Sequence, residues 1–272
     1  MKKIMVKNVC FGDHIPKICV PIVGRSRDEI LKQAELIKNE SEKLATKYKD
    51  HEACKLSVIE FRADYFDEVT NTNSLRYLLK ELREIFPDKL LLFTYRSEEE
   101  GGELRHDRAE NMIADIQESA ICSGCIDMID VELMFGNYHV ARIAASAHDS
   151  NIATIVSYHN FEETPHDDKL ETYLWNMEYL GGDILKIAVK PQNKLDVDRM
   201  IDLTIRAVNG KLWENNIENP VAIISMGELG KITRINGNET GSCLTFAYVG
   251  EGSAPGQIAL KDLYKKFSEI QL

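Results

Sequence analysis

Hydrophobic residues in this chain follow two alternating patterns. Short apolar runs rich in β-branched residues recur as KICVPIV (17–23), LSVIEF (56–61), KLLLFTY (89–95), CIDMIDVEL (125–133), IATIVSY (152–158), DILKIAV (183–189), VAIISM (221–226) and CLTFAY (243–248). Such runs read as strands buried on both faces. Between most of them lie longer segments with apolar residues three and four apart, the mark of an amphipathic helix. Helices are expected over 26–47, 74–86 (stopped by Pro87), 107–120, 138–149, 167–180, 196–209 and 257–270, with a brief one over 226–233. The repeat of roughly 25–40 residues is about one βα unit. Eight such units predict a (β/α)8 TIM barrel, an α/β fold, as a single domain over 1–272. The residues before the first run are expected to form a short N-terminal β-hairpin capping the bottom of the barrel, with Gly12-Asp13 near its turn.

A barrel of this kind carries its site at the C-terminal ends of its strands. Polar residues gather there. The second run ends in Glu60, Arg62 and Asp64, which share one parity and so one face. The third leads into Arg96 and Glu100, the fourth holds Asp130 and Glu132, and the fifth ends at His159. The seventh leads through Met226 to Arg234, and the eighth into a Gly-rich loop with Ser253 and Gln257. Taken one at a time, Glu60, Asp64, Asp130 and Glu132 read as solvated charges or structural ion pairs. Their convergence on one mouth points to a site instead. The loop over 250–256 has the composition of a lid. Lys186 stands apart, inside the apolar run of 183–189 with no short path to water.

Composition narrows the class. The chain has 272 residues, 44% hydrophobic and 28% charged, with a net charge of −11 and a pI near 5.2. That balance argues against a nucleic-acid partner. A small anion stays possible, because local arginines can reverse the field in one cleft. No apolar stretch approaches the ~20 residues that span a bilayer, and the N-terminus lacks a secretory apolar core. Six scattered cysteines fit free thiols in a reducing cytoplasm. Cys122 and Cys125 form a CxxC with no second pair to complete a zinc site. There is no GxGxxG or GxxxxGK[ST], so no nucleotide cofactor is implied.

A lysine held among cations has its ammonium disfavoured, and the free amine can attack a ketone to form a Schiff base. Proton removal from the adjacent carbon then needs a base with a pKa near neutrality. His159, on the neighbouring run, is suited to this, and Glu100 could orient it. Arg62, Arg96 and Arg234 would bind an oxygen-rich substrate, with a carboxylate suiting their planar forks.

The motifs EFRAD (60–64), TYRSEEEGG (94–102), DVE (130–132), SYHNF (157–161), DILKIAV (183–189), SMGELGKITR (225–234) and SAPGQ (253–257) run in order across nearly the whole chain. In these the sequence resembles the type I 3-dehydroquinate dehydratases, Schiff-base lyases of the shikimate pathway. The resemblance implies syn dehydration of 3-dehydroquinate to 3-dehydroshikimate in a cytoplasmic homodimer without metal or other cofactor. It implies that Lys186 forms the imine, that His159 moves the proton and that Glu100 pairs with His159. Arg234 and Gln257 would hold the carboxylate. Glu60, Arg62, Arg96 and Ser253 would meet the ring hydroxyls or close the site, with Met226 packed on the ring. Pro21 departs from the serine some members carry and offers no side-chain donor. Three alternatives remain on the residues alone. One is a class I aldolase on the same barrel. Another is a metal-dependent barrel hydrolase using Asp130, Glu132, His159 and His166. The third is a non-catalytic sensor.

Overall fold

The computed structural model describes residues 1–49, 51, 55–103, 110–213, 215–250 and 256–269. The first half of the chain runs β1 (Ile4–Val6), β2 (Val9–Phe11), β3 (Lys17–Ile22), α1 (Arg27–Lys47), β4 (Leu56–Arg62), α2 (Thr72–Ile85), β5 (Leu90–Thr94), α3 (Glu110–Ile121), β6 (Met128–Glu132) and α4 (Asn137–Asp149). The second half runs β7 (Ala153–Asn160), α5 (Asp167–Tyr179), β8 (Ile184–Val189), α6 (Lys194–Val208), β9 (Val221–Ser225), α7 (Lys231–Ile235), α8 (Gly237–Thr240), β10 (Leu244–Tyr248), β11 (Ile258–Ala259) and α9 (Leu260–Ser268).

Strands β3 to β10 are the eight expected runs, and they pair in parallel in the order β10-β3-β4-β5-β6-β7-β8-β9. The curled sheet meets itself where Cys243 N–H, just before β10, donates to Val221 O at the start of β9 (2.8 Å). The result is a TIM barrel. Residues of one parity, among them Ile18, Ile59, Phe93, Ile129, Val156 and Leu185, face the helices and form the outer core. Residues of the other parity, among them Val58, Leu92, Met128, Ile155 and Ile184, fill the barrel interior. This division follows from the period of two along a strand. The helices bring matching apolar stripes: α1 buries Ile30, Ala34, Ile37 and Leu44, and starts at a capping box between Ser26 and Glu29.

Two local expectations change. The N-terminal hairpin turns at Lys7-Asn8, not at Gly12-Asp13, because Val6 pairs with Val9 across a two-residue link in which Lys7 takes φ 49°. Gly12 serves a different need: a Cβ there would sit 2.7 Å from Lys2 O. The last helix begins at Leu260, not at 257, since Ile258 and Ala259 pair with Ala247 and Tyr248 as β11. The brief helix expected over 226–233 appears slightly later, as α7 and α8.

The hairpin closes the lower end of the barrel. Phe11 is fully buried and joins Val6 in the interior cluster beside Cys19, Val58 and Leu90. Replacing Phe11 with alanine removes this stopper and is expected to cost about 3–5 kcal/mol. Urea unfolding followed by fluorescence should show a lower midpoint at unchanged slope; a midpoint shift worth under about 1 kcal/mol would show that the hairpin does not seal the core.

Candidate active site

Moving up the inward face of each strand, apolar residues give way to polar ones. Strand β6 places Met128, Asp130 and Glu132 on that face, β7 Ile155, Ser157 and His159, and β8 Ile184, Lys186 and Ala188. Lower interior positions can be sealed by hydrocarbon, while the upper ones meet the mouth. Of the ten expected site residues, nine line a single cavity at that mouth: Lys186, His159, Glu100, Glu60, Arg62, Arg96, Arg234, Met226 and Gln257. Ser253 and most of the 250–256 loop lie outside the described residues.

Lys186 does not snorkel. It is 4% exposed, and its ammonium donates to Asp130 Oδ2 at 3.0 Å while lying 4.8 Å from the centre of the Phe246 ring. This corrects the expectation of a lysine surrounded by cations: its direct contact is a carboxylate. Asp130 Oδ1 accepts from Ser157 Oγ (2.6 Å) and faces Arg96 (2.9 Å). Burial alone would push the Asp130 carboxyl up, but Arg96 and Lys186 outweigh it and hold it below the usual range.

His159 Nδ1 lies 2.8 Å from Glu100 Oε2, and the His159 backbone N–H donates to the same oxygen (3.0 Å). The backbone N–H marks Oε2 as an acceptor, so the ring proton is assigned to Nδ1 and the lone pair to Nε2. Burial, then Arg96, Lys186 and Arg62, hold the imidazole pKa well below its ordinary value, so at neutral pH the ring is an uncharged base. Glu100 is shifted the other way, upward, first by burial and next by Glu132. Its other oxygen, Oε1, is buried with no hydrogen-bond partner among the described residues. The loop carrying Glu100 depends on a glycine: Gly101 has φ 81°, and a Cβ there would lie 2.3 Å from the Phe161 ring.

The three arginines divide. Arg62 grips Asp64 with two 2.8 Å hydrogen bonds. Arg96 donates to Glu132 (2.9 Å) and Ser157 (3.0 Å), and pairs with Asp130 and Glu100. Burial would lower both guanidinium pKa values, but the carboxylates raise them. Arg234, on α7, is 5% exposed, its Nε has no hydrogen-bond partner among the described residues, and burial lowers it to about 10. No ion pair forms at Arg234 among the described residues. Residue type alone treats the three arginines alike and only the family resemblance set Arg234 apart; the fold commits Arg62 and Arg96 to protein carboxylates and leaves Arg234 facing the cavity.

Asp130 and Glu132, read singly as structural charges, prove to be wired to Lys186 and Arg96. Ser157 was missed as a contributor; its shared parity with His159 was the available signal. Phe246 and Phe161 also line the cavity, and nothing in their spacing set them apart from core aromatics. The metal-hydrolase alternative loses its donors: His166 is exposed at the start of α5, and Asp130 and Glu132 are engaged by Lys186 and Arg96.

The chain is similar to known proteins over nearly its whole length. Residues 18–272 match the family described as type I 3-dehydroquinase. A 3-dehydroquinate dehydratase from Clostridioides difficile is 36% identical over 262 residues, covering 96% of this chain and 94% of the relative. Among solved structures, the type I 3-dehydroquinate dehydratase from Clostridium difficile superposes with a TM-score of 0.86 at 35% identity, covering 98% of this chain and 97% of that one. The 3-dehydroquinate dehydratase from Geobacillus kaustophilus gives 0.88 at 31%, covering 98% and 96%. On the motifs, the barrel and these full-length similarities, the chain belongs to the type I 3-dehydroquinase family.

Proposed function

We propose that this protein dehydrates 3-dehydroquinate to 3-dehydroshikimate through a Schiff base on Lys186, as a step of the shikimate pathway. One observation carries the reading. A buried lysine shares its cavity with an uncharged histidine and with Arg234, which has no ion pair among the described residues. Those are the nucleophile, the base and the anion anchor that the reaction needs. The Clostridium difficile relative was solved with covalent modified comenic acid, a precedent for covalent chemistry in that protein.

In this mechanism Arg234 and Gln257 receive the substrate carboxylate. Lys186 passes its ammonium proton to His159, its free amine attacks the C3 ketone, and the carbinolamine hydroxyl takes that proton back and leaves as water, giving a protonated imine. His159 Nε2 takes the proton from C2, and its electron pair flows into the C=N bond to make an enamine. The enamine returns that pair to expel the C1 hydroxyl, which leaves as water with the proton carried by His159. Taking and returning the proton on one face makes the elimination syn. Hydrolysis of the imine releases product and restores Lys186. Glu100 keeps the imidazole in the tautomer with Nε2 free.

The imine is tested by borohydride in the presence of 3-dehydroquinate. Mass spectrometry should locate a reduced adduct on Lys186; an adduct on Lys190, or none, would remove the covalent mechanism. Lys186→Ala should lose turnover by orders of magnitude.

The His159 assignment carries a signed pH expectation. Activity needs the uncharged imidazole, so it falls as pH drops through the histidine pKa. Because that pKa is held down, the acidic limb of kcat/KM, which reports the free enzyme, should lie below the ~6.5 of an ordinary histidine. His159→Ala should cost about 10²–10⁴ in kcat. A limb at or above 6.5, or a variant that keeps more than a tenth of kcat, would point to another base.

Arg234→Ala should raise KM about 10–100-fold, the loss of a charged hydrogen bond, with a smaller effect on kcat. A variant with unchanged KM would move the carboxylate elsewhere in the cavity.

A further inference from the structure

The imine reading gives no task to the buried Ser157. Ser157 is fully buried on the inward face of β7, in register with Lys186 on β8 and Glu132 on β6. Its hydroxyl has one proton to give, and its neighbours decide where that proton goes. Arg96 donates to the hydroxyl oxygen at 3.0 Å, so that side is an acceptor. The proton therefore points to Asp130 Oδ1, at 2.6 Å. Arg96 reaches the same Oδ1 through its other terminal nitrogen, at 2.9 Å. Two donors thus hold one oxygen of Asp130, and the other, Oδ2, is left to Lys186 at 3.0 Å.

We propose that Ser157 is a positioning residue for the lysine chemistry: it fixes the rotation of the Asp130 carboxylate so that one oxygen stays beside Lys186 Nζ throughout the reaction. The proposal rests on the Schiff-base reading. Its chemical value lies in a charge that persists. The nitrogen is cationic as an ammonium, becomes neutral to attack, and is cationic again as the protonated imine. The protonated imine is the electron sink for removal of the C2 proton, and a fixed carboxylate within hydrogen-bond distance stabilises it in a buried position. A carboxylate free to rotate would lose part of that stabilisation. Preorganisation, not an added contact to substrate, is what the serine supplies. Ser157 is placed to touch Asp130 and Arg96, while the carboxylate anchor at Arg234 is on another element. Its removal should therefore act on kcat and leave KM almost alone.

Ser157→Ala, Ser157→Thr, Asp130→Asn and the double variant Ser157→Ala/Asp130→Asn, assayed beside wild type with 3-dehydroquinate and with borohydride trapping, test this. Ser157→Ala is expected to lower kcat about tenfold, the loss of one hydrogen bond to a charged group, with KM within about twofold. The rate of adduct trapping on Lys186 should fall by the same factor. Ser157→Thr, which keeps the hydroxyl, should recover most of the loss. Asp130→Asn should be worse than Ser157→Ala, and adding Ser157→Ala to it should cost little more, because two residues acting through one carboxylate are not additive. Unchanged kcat in Ser157→Ala, equal loss in the alanine and threonine variants, or multiplying effects in the double variant would each overturn the proposal. If Ser157→Ala does not fold, the threonine variant still decides, since kcat reduced tenfold with the hydroxyl retained contradicts the assigned role. Absence of any adduct in wild type would overturn the Schiff-base reading itself, and is read independently of the variants.

Discussion

The interior of this barrel can hold Lys186 only because Asp130 is there to meet it. A lone ammonium in a hydrocarbon-lined interior would cost several kcal/mol in lost hydration. The aspartate has the same difficulty and a second cation, Arg96, to resolve it. Arg96 in turn engages Glu132 and Glu100. The upper layer of the barrel is therefore one connected charge network, not a set of separate pairs. Removing one member would leave its partners buried and uncompensated, which is why such networks hold their geometry tightly.

That rigidity shapes the electrostatics of the cavity. Arg62 and Arg96 are occupied by protein carboxylates, so they act on His159 through their fields and not by contact. Together with burial and Lys186, those fields keep the imidazole uncharged. Glu100 does not reverse this, because its own carboxyl is pushed upward by burial and by Glu132. Among the described residues Arg234 stands outside the network, and burial lowers its pKa. A buried guanidinium in that position favours an incoming anion, although the whole chain carries a net charge of −11. Local field and global charge are separate quantities here, and the local one governs what the cavity can accept.

The two ends of the barrel solve opposite problems. Below, the interior must be dry, and the N-terminal hairpin supplies Val6 and Phe11 to seal it. Above, the same strands change from Met128, Ile155 and Ile184 to Asp130, Ser157 and Lys186 within two residues. Because parity is kept, the polar groups continue the inward face without disturbing the outer core against the helices.

Much of this was already legible in the amino-acid order. The eight apolar runs became the eight barrel strands, because a strand buried on both faces has to be a short, nearly continuous apolar run. Lys186 stood out because a lysine inside such a run has no short path to water, His159 gained weight as the base on the neighbouring run, and the ordered motifs carried the family. The exact hairpin turn was not legible, since Lys7-Asn8 lacks the glycine that usually marks one and Gly12 is required for a close approach to Lys2 instead. Nor, beyond the Glu100–His159 pair that the family resemblance implied, were the partners of the charges. Residue type and position put Arg62, Arg96 and Arg234 at the mouth alike, with only the family resemblance singling out Arg234, and they put Ser157 among ordinary strand residues. Which arginine meets a carboxylate, and which oxygen of Asp130 is left for Lys186, depends on side chains from β4 to β8 and α7 arriving at one point. Distances of about 3 Å between residues tens of positions apart are set by strand register and barrel closure, and only the tertiary structure decides those.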